Sequence, residues 1–489
     1  MALGDNLIER GKERIKALRE KGINPFPYTF DKKYSSTQIK EKYKDIAQGG
    51  FSEEVVSFAG RVITRRVLGK IAFLTLRDEF GDLQVVFKKD TTKDFDNLSL
   101  LDIGDFCGVY GKVSRTKAGE LSIFVEKFEI LSKSLRGLPE KYHGINDPDL
   151  KQRYRYLDLI MNLATREVFR KRHEIIKYIR QFLYERGFIE LETPILQAVY
   201  GGANARPFIT HHNALDRDLY LRISLELYLK RLIIGGYEKV FEIGKNFRNE
   251  GMDTMHNPEF SMIELYQAYV DYNEMMNLTE TLIKALAKDV VKKDKIKFRG
   301  HVIDLSKPFA RLTMYDAIKQ YTGYDVEKMS LEELKEIVDT LDVELAGEIT
   351  KGLLINVIFE ELVQEKLIQP TFILDYPKEV SPLTKVHRSK PGLTERFELF
   401  IAGEEFANAY SELNDPVDQR ERFEEQERNR KLGDEEAPPK DDDFLIALEH
   451  GMPPTGGLGI GIDRLVMFLT EQDSIRDVIP FVVLKESNE

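Results

Sequence analysis

A chain of 489 residues, 42% apolar and 32% charged, has room for roughly two to four domains with large cores and is too apolar to be disordered. Its net charge of −11 argues against a protein that coats nucleic acid, but leaves space for a local basic patch or a carboxylate-lined metal site. Cys107, the single cysteine, excludes internal disulfides and a Cys-rich zinc site and suits a reducing cytoplasm; no run of about 18 apolar residues crosses a membrane, and the first residues lack the apolar core of a signal peptide.

The first expected element is a helix from about Asp5 to Lys21, dense in Arg and Lys. Gly22 stops it, and Asn24-Pro25-Phe26-Pro27 forces an extended exit. It is either a solvated packing helix or a positive surface for a phosphate backbone. From Val55 to Leu131 the pattern changes to five short strands punctuated at Gly69, Gly81-Asp82, Gly104-Asp105 and Gly119, with a helical region between the third and fourth. That is the pattern of a small closed barrel of the oligonucleotide-binding type. Arg61, Phe73, Arg77 and Gln84 are candidates for its nucleic-acid face, because aromatics stack bases and amides read their edges. The bland alternative puts Phe73 in the core.

A polar, Pro-punctuated stretch from Ser134 to Leu159 reads as a linker, with the domain boundary near Gly144, giving domains 1–144 and 145–489. A helix follows, with Phe169, His173, Ile176, Ile179 and Leu183 on one stripe and Gly187 closing it. His173 is read as a satisfied packing residue. FIELETPIL then reads as a strand whose Pro194 favours a sheet edge, and this pair of elements suits a subunit interface. Gly201-Gly202 to Arg206 reads as a mobile loop over a site. Glu226 stands among Leu225, Leu227 and Leu229, where a carboxylate needs a partner; a ligand amine is one possibility.

The stretch Val240 to Tyr266 organises the second half. It reads as two strands joined by a long polar loop. Alternation puts Glu242, Gly244, Asn246 and Arg248 on one face of the first strand, and Phe260, Met262, Glu264 and Tyr266 on one face of the second. The loop adds Glu250, His256 and Asn257. An ordinary amphipathic hairpin is the plain alternative.

Asp271 to Gln369 reads as a mostly helical insertion, with a capping box at Ser330–Glu333 stapled by Met329 and Leu334. PTFILDYP is a strand. RFELFIAGEEFANAYSELND is a hairpin turning at Ala402-Gly403, with Asn408 and Glu412 on one face and Glu398 and Glu405 able to approach across the turn. Two such carboxylates suit a hard cation such as Mg²⁺, although hairpin carboxylates are more often solvated. Residues 420–442 read as a solvent-facing charged helix and loop. In MPPTGGLGIGIDRLVMFLT, the glycines at 456, 457, 459 and 461 precede an apolar helix. It is no P-loop, since no G-K-[ST] follows; it reads as a bare strand under a flat base, with Arg464 placed to stack on that base or pair with a terminal phosphate.

FIELETPIL, FRNEGMDTMHNPEF and GLGIGIDRLVM, in that order, resemble motifs 1, 2 and 3 of class II aminoacyl-tRNA synthetases. Within that class the chain resembles the bacterial-type lysyl-tRNA synthetases, over nearly its whole length, including LREKGINPFPY near the start. The resemblance implies an α+β fold: an N-terminal OB-fold anticodon-binding barrel and a catalytic domain built on an antiparallel sheet flanked by helices. It implies lysine activation by ATP and transfer to tRNA(Lys), in a cytoplasmic homodimer formed through motif 1. The implied ATP contacts are Arg248, Glu250, His256, Asn257, Phe260, Glu398 and Arg464, with Arg248 and Arg464 catalytic. The implied lysine contacts are Gly202 and Glu226 at the α-amine, Arg248 and Asn408 at the carboxylate, and Tyr266 and Glu412 at the ε-ammonium, with Glu264 nearby. Glu398 and Glu405 would carry Mg²⁺, about two or three ions per subunit. Phe73, Gln84 and Glu120 match anticodon-reading positions. An aspartyl or asparaginyl enzyme, a lysine ligase acting on protein and a non-catalytic tRNA-binding relative are the alternatives; Glu412 argues for lysine, because an aspartate pocket needs cations there.

Overall fold

The computed structural model describes residues 2–138, 147–343, 345, 347–434 and 436–485. The boundary expected near Gly144 lies outside them. The chain divides into two compact units, Met1–Leu163 and Ala164–Glu489.

In the first unit the N-terminal helix runs Ala2–Glu20. Five strands follow: β1 (Val56–Leu68), β2 (Ile71–Arg77), β3 (Asp82–Lys88), β4 (Phe106–Arg115) and β5 (Leu121–Ser132). They close a barrel in the order β1-β2-β3-β5-β4, with a short helix Phe95–Leu100 between β3 and β4. Strict alternation fills the barrel: Ala72, Leu74 and Leu76 from β2, and Leu83, Val85 and Phe87 from β3, point into one core that Leu18 and Ile39 join.

The second unit is built on eight strands: β6 (Ile189–Glu190), β7 (Lys239–Phe247), β8 (Glu259–Ala268), β9 (Ala310–Thr313), β10 (Thr371–Leu374), β11 (Arg396–Ile401), β12 (Glu404–Ser411) and β13 (Thr455–Gly461). The order is β9-β10-β11-β12-β13-β8-β7-β6. Every pairing is antiparallel except the two at the edges, β9 with β10 and β6 with β7. One sheet face packs on helices Leu163–Tyr184, Tyr272–Ala285 and Ile462–Leu469 through a large apolar core. The other face carries the polar residues discussed below.

Several sequence expectations change in detail. FIELETPIL is not one strand; Pro194 separates two-residue pieces, and the first is an edge strand of the sheet. His173 is exposed, because the buried stripe of its helix runs through Ile175, Ile179, Phe182 and Leu183 instead. Among its described residues the span 271–369 holds three strands as well as helices, and its helices after Met314 share a separate core around Ile318, Leu354 and Phe359. Its capping box forms as read, with Ser330 Oγ accepting from Glu333 N at 3.2 Å. Such a cap is worth about 1 kcal/mol. The charged helix Pro416–Lys431 is not wholly solvated: Gln419, Arg422 and Phe423 are buried, and Arg422 donates to Ser381 and Thr384 carbonyls at 2.8 Å each.

Candidate active site

β7 and β8 pair so that Glu242 faces Glu264, Gly244 faces Met262 and Asn246 faces Phe260. This register puts the polar residues of both strands on one face, as the alternation required. β13 lies between β8 and β12, so the glycine strand is flanked by the residues of both hairpins. β11 and β12 turn through two residues, Ala402 (φ 53°) and Gly403 (φ 81°), the left-handed pair that a tight hairpin demands.

A cavity of about 300 Å³ opens on this face. Gly202, Glu226, Arg248, Glu264, Tyr266, Asn408 and Glu412 all line it. Gly202 has φ 89° and packs so closely on Ser224 that a Cβ would stand 2.8 Å from its hydroxyl. Glu264 is 4% exposed and accepts from Ser224 Oγ (3.0 Å), Leu225 N (3.0 Å) and the Tyr266 hydroxyl (3.1 Å). Burial, helped by the charge of Glu226, still pushes its carboxyl up to about 7. Glu412, 1% exposed, is pushed up to about 8, first by burial. A Cβ on Gly457 would overlap Glu412 Oε1 and stand 2.5 Å from Tyr266, so this glycine makes room for the carboxylate. The glycine strand therefore does more than lie under a base: Gly457 serves this cavity, while Gly461 lines the next one.

Two cations here escaped the sequence reading. Lys230, fully buried on helix Glu226–Ile234, donates to Glu226 Oε1 at 2.6 Å and pairs with Glu412. Its spacing four residues after Glu226 was the available signal. Arg396 pairs with Glu398, donates to Asn408 Oδ1 at 3.3 Å and lies over the Tyr376 ring at 4.5 Å. The segment Val380–Leu383 and Phe423 also line the cavity and carried no motif.

Glu398 and Glu405 both line this cavity. The irregularity between Leu399 and Phe400 shifts the register across the turn, which lets both carboxylates face the same side. Glu398 is held by Tyr376 (2.8 Å) and Asn408 (3.2 Å) as well as Arg396. Burial and the charge of Glu398 push Glu405 up to about 7. Among the described residues no three or more His, Cys, Asp or Glu side chains cluster as metal ligands; the pair offers the carboxylate oxygens that a hard cation takes.

A second cavity, about 240 Å³, is lined by Arg248, Glu250, His256, Asn257, Phe260 and Arg464. The Arg248 guanidinium lies 5.1 Å from the Phe260 ring, and its Nε is buried without a hydrogen-bond partner. Arg464 donates to the Glu405 carbonyl at 2.8 Å and to His256 Nε2 at 2.9 Å. The Asp253 carboxylate, 2.8 Å from His256 Nδ1, places the ring proton on Nδ1 and leaves Nε2 to accept. Asn257 holds the loop neck, donating to the Glu259 carbonyl at 2.6 Å. Glu398, expected among the nucleotide contacts, lines the first cavity and not this one. Below the floor, Asp463 accepts from Ser261 N at 2.6 Å and pairs with Arg172 at 2.5 Å; Arg172 also donates to Ser261 Oγ at 3.1 Å. The two cavities share one wall: Arg248, Met262, Glu405, Asn408 and Gly459.

On the barrel, Phe73 is half-buried and outside the core, beside Arg66 and Val86 in the ladder, so the core reading of Phe73 fails. Gln84, one strand over, accepts from Ser122 Oγ at 2.9 Å, and Glu120 is exposed at the neighbouring turn. Arg77 is not on a nucleic-acid face. It is 8% exposed, clamped by Asp82 (2.6 and 2.9 Å) and donating to the carbonyls of Ile160 and Met161 at 3.0 Å. Arg61 lies over the Phe106 ring at 4.3 Å and donates to the Gly104 carbonyl at 2.8 Å.

An antiparallel sheet bearing two joined cavities, in a chain that also carries a five-stranded barrel, has the layout of a class II synthetase. The chain belongs to that family: residues 147–485 match the model described as tRNA synthetases class II (D, K and N), and residues 56–131 match the OB-fold nucleic acid binding domain. It is 53% identical over 489 residues to a Thermoanaerobacter pseudethanolicus protein named Lysine--tRNA ligase, covering 99% of this chain and 97% of that one. Proteins of the same name from Methanoculleus marisnigri (53% over 477 residues, 97% and 94%) and a Nostoc species (51% over 485 residues, 97% and 86%) are similarly related.

Proposed function

We infer that this chain ligates lysine to tRNA in two steps at the joined cavities, at the expense of ATP. The observation that carries the reading is the shared wall at Arg248, between an acidic cavity suited to an amino acid with a cationic side chain and an Arg–Phe cavity suited to a nucleotide. The lysine carboxylate attacks the α-phosphorus, forming lysyl-adenylate and expelling pyrophosphate. The terminal ribose hydroxyl of tRNA then attacks the acyl carbonyl, forming the ester and releasing AMP. The first nucleophile is already anionic, so it needs orientation and not a base. Arg248 lies where the carboxylate and the α-phosphate meet, and neutralises charge that grows in the transition state. Phe260 and Arg464 take opposite faces of the adenine, and Glu250, His256 and Asn257 contact ATP from the loop. Glu226 and Gly202 receive the α-amine, Asn408 the carboxylate, and Glu412 with Tyr266 the ε-ammonium. Mg²⁺, when held by Glu398 and Glu405, supplies further charge neutralisation on the phosphates, with about two or three ions per subunit.

The division of labour falls between residues 1–144, which read the anticodon of tRNA(Lys) with Phe73, Gln84 and Glu120, and residues 145–489, which do the chemistry, with 271–369 as the insertion. Exposed apolar side chains at Ile189, Ile195 and Leu196 support a homodimer through motif 1. Among the described residues no helix is long and apolar enough to cross a membrane; a buried, unpaired Cys107 suits a cytoplasmic protein. The decisive measurement is ATP–pyrophosphate exchange with lysine, aspartate and asparagine in turn. Exchange driven by lysine alone, with lysine KM raised about a hundredfold in Glu412→Gln, is expected. Exchange driven by aspartate, or none at all, overturns the reading.

A further inference from the structure

Glu226, Glu264 and Glu412 converge on one cavity, and each is at most 4% exposed. Buried carboxylates crowded together without compensation do not stay ionised; they take up protons, and a neutral acid holds an ammonium ion poorly. One cation of the chain itself stands among them. Lys230 is wholly buried and reaches Glu226 at 2.6 Å and Glu412 with the same ammonium group. Helix Glu226–Ile234 sets its distance to Glu226, since the two are one turn apart. Glu412 comes from just beyond the end of β12, fixed by its own N–H to the Thr455 carbonyl at 2.8 Å. Glu412 Oε1 is buried and accepts no hydrogen bond, so an acceptor remains for an incoming cation.

We propose that Lys230 is a specificity-determining positioning residue: a resident ammonium that ties Glu226 to Glu412 and keeps the cavity anionic enough to select a cationic amino acid. The proposal rests on the seat for lysine proposed above. With Arg396 matched by Glu398, these three carboxylates against the Lys230 ammonium leave two negative charges, which match the α- and ε-ammonium groups of lysine, while Arg248 meets its carboxylate. Loss of the resident cation does not sharpen the attraction for lysine. It removes the bridge that aims both carboxylates and lets them protonate.

The test is ATP–pyrophosphate exchange by the full-length chain with Lys230→Met, Lys230→Ala, Lys230→Arg and Glu412→Gln. In Lys230→Met the lysine KM is expected to rise about tenfold or more, with ATP KM and kcat within about twofold of wild type. In Lys230→Ala, n-propylammonium, which replaces the missing part of the side chain, is expected to lower the lysine KM, and tetramethylammonium is not. If the apolar variant does not fold, Lys230→Arg carries the test; its displaced charge is expected to raise lysine KM alone. An unchanged lysine KM, an equal loss for ATP and lysine, or no selective rescue overturns the proposal. Glu412→Gln separates the two levels: if its lysine KM is also unchanged, the seat for lysine is wrong; if it rises while the Lys230 variants match wild type, only the role of Lys230 falls.

Discussion

The two joined cavities solve recognition differently. The cavity proposed to seat lysine is a closed network: Ser224, Glu226, Lys230, Glu264, Tyr266 and Glu412 are all buried, and hydrogen bonds or ion pairs join each to another of the set. The cavity proposed for the nucleotide is more open: Glu250 and His256 are exposed, and its organising contacts are a ring under a guanidinium and an arginine tethered to a carbonyl. Buried charge is costly unless each group has a partner, so the first cavity tolerates little change. A flat base asks only for faces to lie against, and the second cavity can be assembled from a loop.

The largest effect that probes this contrast belongs to the wall itself. Arg248→Ala is expected to lower kcat/KM in exchange about a thousandfold, affecting lysine and ATP together, because it lines both cavities. Equal effects on both substrates, measured by exchange at varied lysine and varied ATP, would confirm the junction; a loss confined to one substrate would break it. Next is Gly457→Ala, whose methyl overlaps Glu412 and Tyr266. Lysine KM is expected to rise about fiftyfold and ATP KM to stay flat, since the substitution displaces the pair proposed to meet the ε-ammonium.

Smaller still is the response to pH. Burial raises Glu264 to about 7 and Glu412 to about 8, and a bound ammonium favours their ionised forms. Lysine binding should therefore release protons near neutral pH and weaken as pH falls from 8 to 6. Titration calorimetry in buffers of different ionisation enthalpy measures the release. The same shifts act oppositely on the free protein. These carboxyls bind protons more tightly folded than unfolded, so the stability they contribute is present below about pH 4.5 and is lost as pH rises through 7 to 8. The smallest effect is expected on the open side: Phe260→Ala should raise ATP KM about fivefold with lysine KM unchanged, the scale of one lost stacking contact.

The contrast also marks what a sequence can show. Period-two alternation made the Val240–Tyr266 hairpin legible down to its register face, and Ala402-Gly403 announced the turn of the β11–β12 hairpin, because both signals are local. Phe260 and Arg464, which line the second cavity, were legible as candidates for the same reason: each stands in a motif. Lys230 was passed over because its meaning depends on Glu412, brought beside it only by the fold; by itself it reads as one cation in an apolar helix. Arg77 failed in the opposite direction. Arginine on a barrel strand suggests phosphate, and nothing local showed that Asp82 and two carbonyls would enclose it. His173 misled because a stripe one position over fits the same spacing nearly as well.

The triangle of Arg172, Asp463 and Ser261 is a stiff strut running from the long first helix of the second unit to the strand that carries Phe260. Asp463 adjoins Arg464 in the chain, and Ser261 adjoins Phe260. A sideways slip of that helix therefore drags both jaws of the proposed adenine clamp at once, and whatever steadies the helix from outside also sets how firmly such a clamp can bite.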